Sequence, residues 1–339
     1  MATYDVTVMG AGVFGLSVAH ACAARGAKVQ VIDPAGVATG ASGGIVGALA
    51  PHVPEQWNAK KAFQLRSLLM AQNYWADIAT LSGQNPGYAR TGRLQPLPND
   101  AAVSMAQARA VQSRTLWQGQ ALWQVVPATD HPDWAPHSPT GLLIHDTLSA
   151  RIHPRQATAA LAQAFRALGG VIGPKGTEQG AVLWATGHAG LTAHGMGNGV
   201  KGQAALLGFS APDQPQLFAD GLHIVPHADG TTAIGSTSER LWDDAQATDA
   251  QLDGIIARAQ AAFPALARAP ILARWAGVRP RAHSRSPLLG AWPGRPGHFI
   301  ANGGFKIGFG IAPLVGQVMA DLILDGRDNI PLDFHPPGS

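Results

Sequence analysis

Three glycines near the beginning of the chain have the spacing of a turn that binds dinucleotide phosphates. Gly10, Gly12 and Gly15 follow a short apolar run and precede a stretch of helical character, residues 16–25. In such a turn the first glycine permits the tight bend, the second lets the backbone approach a pyrophosphate, and the third allows close packing of helix and strand. The helix N-terminus then faces the phosphates. The spacing predicts a dinucleotide cofactor, and a glycine turn of purely structural use is the alternative.

Asp33 favours the dinucleotide because of its position after the motif. It follows a second predicted strand, residues 28–32, and lies about twenty residues beyond the glycines. An acid at this position accepts hydrogen bonds from a ribose hydroxyl and disfavours a 2′-phosphate. We therefore expect FAD or NAD, and not NADP.

The segment 39–51 consists largely of glycine, alanine and other small residues. Small residues let the backbone lie against a flat ligand without side chains in the way. A glycine-rich linker is the alternative, but a linker would be more polar. We predict that this segment lines the ligand.

The elements that must position these residues alternate between helix and strand. Helical periodicity covers three segments, residues 59–82, 154–168 and 248–267. Residues 181–187 have the pattern of a buried strand ending in a glycine turn, and residues 201–238 alternate like a β-sheet. Residues 87–139 are irregular and rich in Trp, Pro and His, which suggests a second, inserted lobe.

The composition limits the classes of function. The chain has 339 residues, of which 46% are hydrophobic and only 13% are charged, and its net charge is +3. These values fit a large core with a local positive pocket for an anionic substrate. Basic runs with interleaved aromatics are absent, so we do not expect nucleic acid as a partner. The single cysteine, Cys22, excludes a disulfide framework and a cysteine metal site, and we expect no metal.

The ends of the chain bear on location. We expect no signal peptide before the first strand, and we expect the apolar segment 311–324 to be too short and too interrupted to span a bilayer. We expect a cytoplasmic protein. The sequence gives no indication of its oligomeric state.

A series of short segments occurs along the chain in an order that is known from one protein family. The segments are MGAGVFG with IDP, ASGGIVGALAP, RIHPRQATAALAQAFRALGG, VLWATG, KGQ, LHIVPHADGTTAIGSTSE, WAGVRPR and NGGFKIGFGIAPLVGQVMADLI. Together they resemble the glycine oxidase and D-amino-acid oxidase flavoproteins over nearly the whole chain. The resemblance implies that the cofactor is FAD and not NAD.

The segments and the resemblance together predict an α/β fold. A discontinuous Rossmann-like FAD-binding domain is expected to consist of residues 1–86, 140–200 and 270–339. An inserted α+β substrate domain, built on an antiparallel sheet, is expected to consist of residues 87–139 and 201–269.

The resemblance implies three groups of FAD contacts beside the turn glycines. Those at the adenosine and pyrophosphate are Val13, Phe14, Asp33 and Pro34. Those on the flavin side are Ala41, Ser42, Val46, Gly47 and Ala48. Gly187, in the glycine turn that ends the predicted strand at the edge of the dinucleotide sheet, is a further predicted contact. Those around the isoalloxazine are Gly304, Phe305, Lys306, Ile307, Gly308, Phe309 and Gly310, and the helix that follows aims its positive N-terminus at the ring. Because Cys22 lies in a helix and ASGGIVG contains no histidine, we expect FAD to be bound non-covalently.

Three residues are candidates for catalysis. Arg279 occupies the position where the family binds the substrate carboxylate, and a guanidinium matches a carboxylate as a planar fork. The apolar run before it favours this role over a surface ion pair.

Lys306 lies where relatives have a basic residue over the flavin. The alternatives for it are a second carboxylate contact, electrostatic help to oxygen and a solvated loop lysine. His223 aligns with a tyrosine that closes the substrate pocket in some relatives. It could bind substrate, take a proton or be an ordinary sheet histidine, and His52 is a weaker candidate.

The sequence departs from the family pattern in two places. Residues 170–181 are shorter than usual, and residues 173–176 are predicted to form a bare turn where relatives carry a hairpin near the adenine. After Arg279, the chain has Arg281, His283 and Arg285 where relatives often have an acid. The second departure suggests a more cationic site and an acidic or dicarboxylic substrate.

The resemblance implies oxidation of an amine α to a carboxylate. Hydride would pass from the α-carbon to flavin N5, and the imine would be hydrolysed to an oxo acid. The partners would be a small carboxylate-bearing amine and oxygen or another electron acceptor, and Lys306 favours an oxidase. Two alternatives stay open: an FAD-dependent dehydrogenase of a 2-hydroxy acid or secondary amine that uses a non-oxygen acceptor, and a catalytically decayed flavin-binding subunit.

Overall fold

The structure, a computed structural model, describes residues 4–338, and these contain sixteen strands and seven α-helices. The strands are β1 (Val6–Met9), β2 (Val29–Ile32), β3 (Ala48–Leu49), β4 (Arg93–Pro96), β5 (Trp123–Pro127), β6 (Leu142–Asp146), β7 (Ala150–Arg151), β8 (Val171–Gly173), β9 (Ala181–Trp184), β10 (Gly197–Leu207), β11 (Gln216–Ala219), β12 (Leu222–Pro226), β13 (Thr232–Gly235), β14 (Ile271–Ala282), β15 (Leu288–Ala291) and β16 (His298–Asn302). The helices are α1 (Val13–Ala24), α2 (Ala59–Ser82), α3 (Asp100–Leu116), α4 (Pro154–Ala167), α5 (Gly187–Ala193), α6 (Ala250–Ala262) and α7 (Gly308–Asp325).

A six-stranded sheet carries the dinucleotide motif, as predicted. Its order is β15-β16-β9-β1-β2-β8, and all neighbours are parallel except β15 and β16. β1 and β2 pair from Val6 with Val29 to Met9 with Ile32, and α1 connects them. In an open sheet of this kind, ligands bind outside the carboxyl ends of the strands. The glycine turn and Asp33 both lie at that edge.

The turn between β1 and α1 has the geometry that its glycines predict. Gly10 adopts φ +114°, a backbone conformation that side-chain-bearing residues rarely adopt. Gly15 lies one helical turn later, and a Cβ there would lie 2.0 Å from the carbonyl oxygen of Gly10. The absence of both side chains therefore lets α1 start directly against the strand.

An eight-stranded sheet forms the second layer of the fold. Its order is β14-β10-β13-β12-β11-β4-β6-β5, with antiparallel pairing everywhere except between β4 and β11. Leu207, Ile224 and Ile234 from its strands pack in one core cluster with Leu252 and Ile256 from α6. The second, largely antiparallel sheet expected from the sequence is confirmed.

Two strands join a different sheet from the one that the predicted domain ranges imply. β6 and β14 fall within ranges assigned to the FAD-binding domain, yet they pair with β4 and β10 in the eight-stranded sheet. The pairing of β14 with β10 extends from Gly197 with Ala282 to Leu207 with Ile271. Because partner strands are distant along the chain, local patterning does not indicate which sheet they join.

The segment after β8 is short, as the sequence indicates. Residues 174–180 contain no strand and lead from β8 directly back to β9. The edge of the six-stranded sheet therefore ends at β8 without an added hairpin.

Helix α7 is longer than the apolar segment 311–324 that the sequence indicated. It has 18 residues and is long and apolar enough, by length and composition alone, to cross a membrane. The prediction that this segment is too short to span a bilayer is therefore wrong. Leu314, Val315 and Val318 are buried in the same core cluster as α1 residues, and a helix that is hydrophobic on all sides is typical of such a core position.

Candidate active site

One large cavity extends from the glycine turn to the eight-stranded sheet. Its volume is about 780 Å³, within the size range of small-molecule and cofactor sites. The predicted residues that line it are Gly10, Gly12, Val13, Phe14, Asp33, Pro34, Ala41, Ser42, Val46, Gly47, Ala48, Gly187, His223, Arg279, Gly304, Phe305, Lys306, Gly308, Phe309 and Gly310. Segments that are far apart in the sequence thus meet around one space.

Two predicted cofactor residues do not line this cavity. Gly15 lies behind the turn, where it allows the close approach of α1 to Gly10. Ile307 packs against the main core cluster and is the N-cap residue of α7. Both support the wall of the cavity from behind. His52, the weaker candidate, also lies outside the lining and hydrogen-bonds with Gln64.

The glycine-turn end of the cavity is built mainly from backbone groups. Helix α1 begins after Gly12, which has no side chain to cap it, and its first turn has no acidic residue. Ser42 Oγ accepts from the Val13 N–H, and the N–H groups that follow in the first turn are suited to an anion. Asp33 accepts hydrogen bonds from the backbone N–H groups of Ala11 at 2.8 Å and Ala35 at 3.0 Å. These bonds hold the carboxylate in place, and each oxygen keeps capacity for a ribose hydroxyl.

The segment of small residues forms the adjoining wall. The Val13 N–H donates to Ser42 Oγ at 2.9 Å, which ties this segment to the start of α1. The His227 Nε2–H donates to the carbonyl oxygen of Ile45 at 2.9 Å. His227 is fully buried, and burial lowers its pKa to about 4. The wall is therefore held from both sides by specific hydrogen bonds.

A second helix N-terminus faces the cavity beside the start of α1, since a Cβ at Gly308 would lie 4.0 Å from Val13 Cγ1. Helix α7 starts at Gly308 with no side-chain cap and no acidic residue in its first turn. Gly308 and Gly310 both line the cavity. The partial positive charge of a helix N-terminus, about half an elementary charge, favours negative charge on a ligand placed there.

Arg279 lies in the wall formed by β14, deep in the protein but open to the cavity. Its Nη2 donates to Ser236 Oγ at 2.6 Å and its Nη1 donates to the Thr237 carbonyl oxygen at 3.3 Å. A Cβ at Gly202 would lie 2.0 Å from Nη1, so the guanidinium occupies space that only glycine leaves open on β10. Burial lowers the pKa of Arg279 to about 10, which keeps it protonated at neutral pH. Two of its five N–H donors are used in these bonds, and the others are free for a carboxylate within the described residues.

Lys306 and His223 lie near Arg279 with different charge states. The pKa of Lys306 is lowered by partial burial and by the nearby charges of Arg279 and Arg281. The pKa of His223 is lowered to about 3 by burial, Arg93 and Lys306, so its imidazole is neutral at physiological pH. Its Nδ1 has no hydrogen-bond partner among residues 4–338. His223 can therefore act as a neutral hydrogen-bonding group and not as a cation.

Several lining residues were not singled out from the sequence. Phe218 lies opposite His223 in the β11–β12 pair, with ring centroids 4.7 Å apart. Ser236, Gln246 and Trp275 also line the cavity, and Ser236 orients Arg279. The only local signal was Trp275, which opens the apolar run before Arg279. Phe218 and Ser236 reach the cavity through the pairing of β11 and β13 with β12, and Gln246 reaches it from the loop before α6.

The cavity fits FAD by its chemistry. The start of α1 and the fixed carboxylate of Asp33 suit the pyrophosphate and ribose, and the small residues of the adjoining wall leave room for a flat ring. The uncapped start of α7 suits an electron-accepting ring system. Cys22 is buried in α1 and is not part of the lining, while in residues 4–338 no three His, Cys, Asp or Glu side chains are grouped to hold a metal.

Comparison with known proteins agrees with this chemistry. Residues 5–322 match the family model for FAD-dependent oxidoreductases (DAO). The chain is 25% identical over 356 residues to the glycine oxidase of Geobacillus kaustophilus, covering 94% of this chain and 93% of the relative. It is 26% identical to the bifunctional protein ThiO/ThiG of Synechocystis sp., where the match covers 96% of this chain but spans only 52% of the relative.

The solved structures show the same fold. The crystal structure of glycine oxidase from Geobacillus kaustophilus superposes with a TM-score of 0.87 at 20% identity, and the match covers 99% of each chain. At this identity the likeness is one of fold. Taken with the match of the family model to nearly the whole chain, it leads to one conclusion: the chain belongs to the family of FAD-dependent oxidoreductases that includes the glycine oxidases.

Proposed function

We propose that this FAD-dependent oxidoreductase oxidises an amino acid or an N-substituted amino acid at the carbon that bears its amine. One observation carries the proposal: the guanidinium of Arg279, with donors to spare, lies in the same cavity as the dinucleotide turn. An arginine with a free planar face is suited to a carboxylate. The similarity to glycine oxidases supports an amine as the second group of the substrate.

In this proposal Arg279 binds and orients the substrate. Its bonds to Ser236 and Thr237 fix the plane of the guanidinium, so the bound carboxylate sets the direction of the α-carbon. Bound FAD would supply the two-electron acceptor for the α-hydrogen, which leaves as a hydride with both electrons of the C–H bond. Holding the reacting atoms in position accounts for much of the rate that such a site supplies.

No protein base is needed for the C–H cleavage in this reaction. The substrate amine reacts in its neutral form, and its lone pair becomes the second bond of the imine as the hydride leaves. His223 is neutral and partly buried, and its unpartnered Nδ1 is suited to accept a hydrogen bond from the amine. Water then hydrolyses the imine to an oxo acid and ammonia or a free amine.

We further propose oxygen as the electron acceptor. The ammonium group of Lys306 and the start of α7 lie on the same side of the cavity. Both stabilise the negative charge that oxygen acquires as it takes up electrons. Reduction of oxygen by two electrons and two protons gives hydrogen peroxide.

The proposal is tested by anaerobic titration of the purified flavoprotein, followed by absorption. Glycine, sarcosine, D-amino acids and 2-hydroxy acids are added in turn. We expect the flavin absorption to bleach with amines and to return on admission of air, with formation of hydrogen peroxide. Bleaching by 2-hydroxy acids alone would contradict the amine reaction, and bleaching that air does not reverse would contradict the oxidase.

A further inference from the structure

Three cations lie close together beside the cavity: Arg279 and Lys306 line it, and Arg281 lies behind them, next to Phe305. Arg279 and Arg281 are two residues apart on β14, so their side chains leave the strand on the same face. The guanidinium carbon of Arg281 lies 5.5 Å from the centroid of the Phe305 ring, and Lys306 Nζ lies 5.7 Å from it. The charges of both arginines lower the pKa of Lys306, which places all three within electrostatic range of one another.

The acid that acts on Arg279 already interacts with other side chains. Glu239, the acid that acts on Arg279, lies buried with Lys201, whose Nζ is 3.8 Å from its carboxylate. Glu239 also accepts hydrogen bonds from Thr237 and Gln203.

Arg93 and Lys306 are the charged groups that act on His223, and Arg93 is already paired with an acid. It forms a 2.9 Å ion pair with Asp146. In the part of the chain that the structure describes, the side chains of Arg279, Arg281 and Lys306 have no ion pair with any acid. The cluster therefore keeps its excess positive charge.

One monocarboxylate compensates only part of this charge. Like charges held together in a partly buried site repel, and an anion that joins them is bound more tightly. Arg279 has the donors for the carboxylate beside the reacting carbon. Lys306 forms no side-chain hydrogen bond within residues 4–338, although it lines the cavity and carries three donors.

We propose that the substrate is a dicarboxylic amine, with one carboxylate bound by Arg279 and the second bound by Lys306 in the positive potential of Arg281. This inference rests on the proposed amine oxidation and names its substrate class. His223, which is neutral, lines the same cavity beside Phe218 and then contacts the uncharged middle of the molecule. Arg285 and His283 are exposed on the turn after β14 and take no part.

The test uses two thioethers that FAD cannot oxidise by this route, because each carries sulfur in place of the amine nitrogen. Thiodiacetate has two carboxylates, and (methylthio)acetate has one. Each is titrated into the oxidised holoenzyme, and its Kd is read from the shift in the flavin spectrum. We expect thiodiacetate to bind about tenfold more tightly, since a charge-assisted hydrogen bond contributes about that factor.

The variant Lys306→Met identifies the second anchor. We expect it to bring the two Kd values to within about twofold of each other, whereas Lys306→Arg keeps the preference for the dicarboxylate. Lys28→Met is the matched control. Lys28 is exposed and directly precedes β2, at the opposite end of that strand from Asp33. Its replacement removes one positive charge and should leave the preference for the dicarboxylate unchanged.

The outcomes separate this inference from the function on which it rests. Equal affinities in the wild-type protein, or a preference that Lys306→Met does not reduce, would overturn the dicarboxylate site even if amines bleach the flavin. A preference that depends on Lys306 supports the site. The same preference in a protein whose flavin no amine reduces would support the site and overturn the amine oxidation.

Discussion

The two ends of the cavity are built in different ways. At the glycine turn, the groups suited to the cofactor are backbone N–H groups and one carboxylate, and they come from a single stretch, residues 10–35. At the eight-stranded sheet, side chains from β12, β14 and the turn between β16 and α7 meet, although more than 80 residues separate His223 from Lys306 in the chain. The first end is a local structure, and the second end exists only when two sheets and a helix are assembled.

This contrast has a physical cause. A pyrophosphate is common to many cofactors, and backbone groups at a helix N-terminus bind it with little need for particular side chains. A substrate is distinguished by its own charges, and these need charged side chains at fixed separations. Substitutions at the two ends should therefore fail in different ways.

The largest effect is expected at the backbone end. Gly10→Ala places a Cβ 2.4 Å from the Ala185 carbonyl oxygen at φ +114°. We expect FAD affinity to fall on the order of 1000-fold, from backbone strain and overpacking together. The ratio of flavin to protein absorption measures this.

Gly254→Ala is the control for that experiment. Gly254 lies within α6, and an added Cβ would meet nothing within 4 Å. This variant should keep its full FAD content. Full retention of FAD by Gly10→Ala would show that the turn is not the cofactor site.

A smaller and more selective effect is expected at the side-chain end. Arg279→Ala removes the carboxylate anchor and leaves both helix N-termini in place. We expect the substrate concentration for half-saturation to rise about 100-fold, since two hydrogen bonds to a charged group are lost. The FAD content should stay unchanged.

Arg268→Ala, at an exposed arginine, is the matched control for charge. It should change neither FAD content nor half-saturation. If Arg279→Ala lost FAD as readily as Gly10→Ala, the two ends would not be separable, and the comparison would fail.

The smallest effect is a pH dependence of the free energy of unfolding, caused by His227, which holds the wall of small residues at Ile45. His227 is neutral in the folded protein, with a pKa of about 4, below its ordinary value of 6.5. The unfolded chain therefore takes up a proton that the folded chain refuses, and stability falls as pH drops from about 6.5 to about 4. The slope for one proton is about 1.4 kcal/mol per pH unit.

Urea unfolding of the wild type and of His227→Asn measures this slope. The variant lacks the titrating group, so the free-energy advantage of the wild type should shrink between pH 6.5 and pH 4.5. A constant difference across this range would show that His227 is not held neutral against the carbonyl of Ile45.

The sequence alone supported the cofactor end and the fold class. Gly10, Asp33 and the small residues around Ser42 are close in the chain, and their roles follow from local geometry. Local reasoning does not indicate that β6 and β14 pair with β4 and β10, because these partners are distant along the chain. The apolar segment 311–324 also proved shorter than α7, which begins at Gly308. A helix that is buried on all sides has no change from polar to apolar residues that would mark its first residue.

The sequence by itself determined the motif, the alternation of elements and the residue types that can bind a carboxylate, because these depend on neighbours along the chain. The tertiary structure decided which of those residues meet. It placed Gly202 under the guanidinium of Arg279, engaged Glu239 with Lys201, and left Lys306 beside two arginines. Charge compensation depends on distances through space, and only the assembled sheets set those distances.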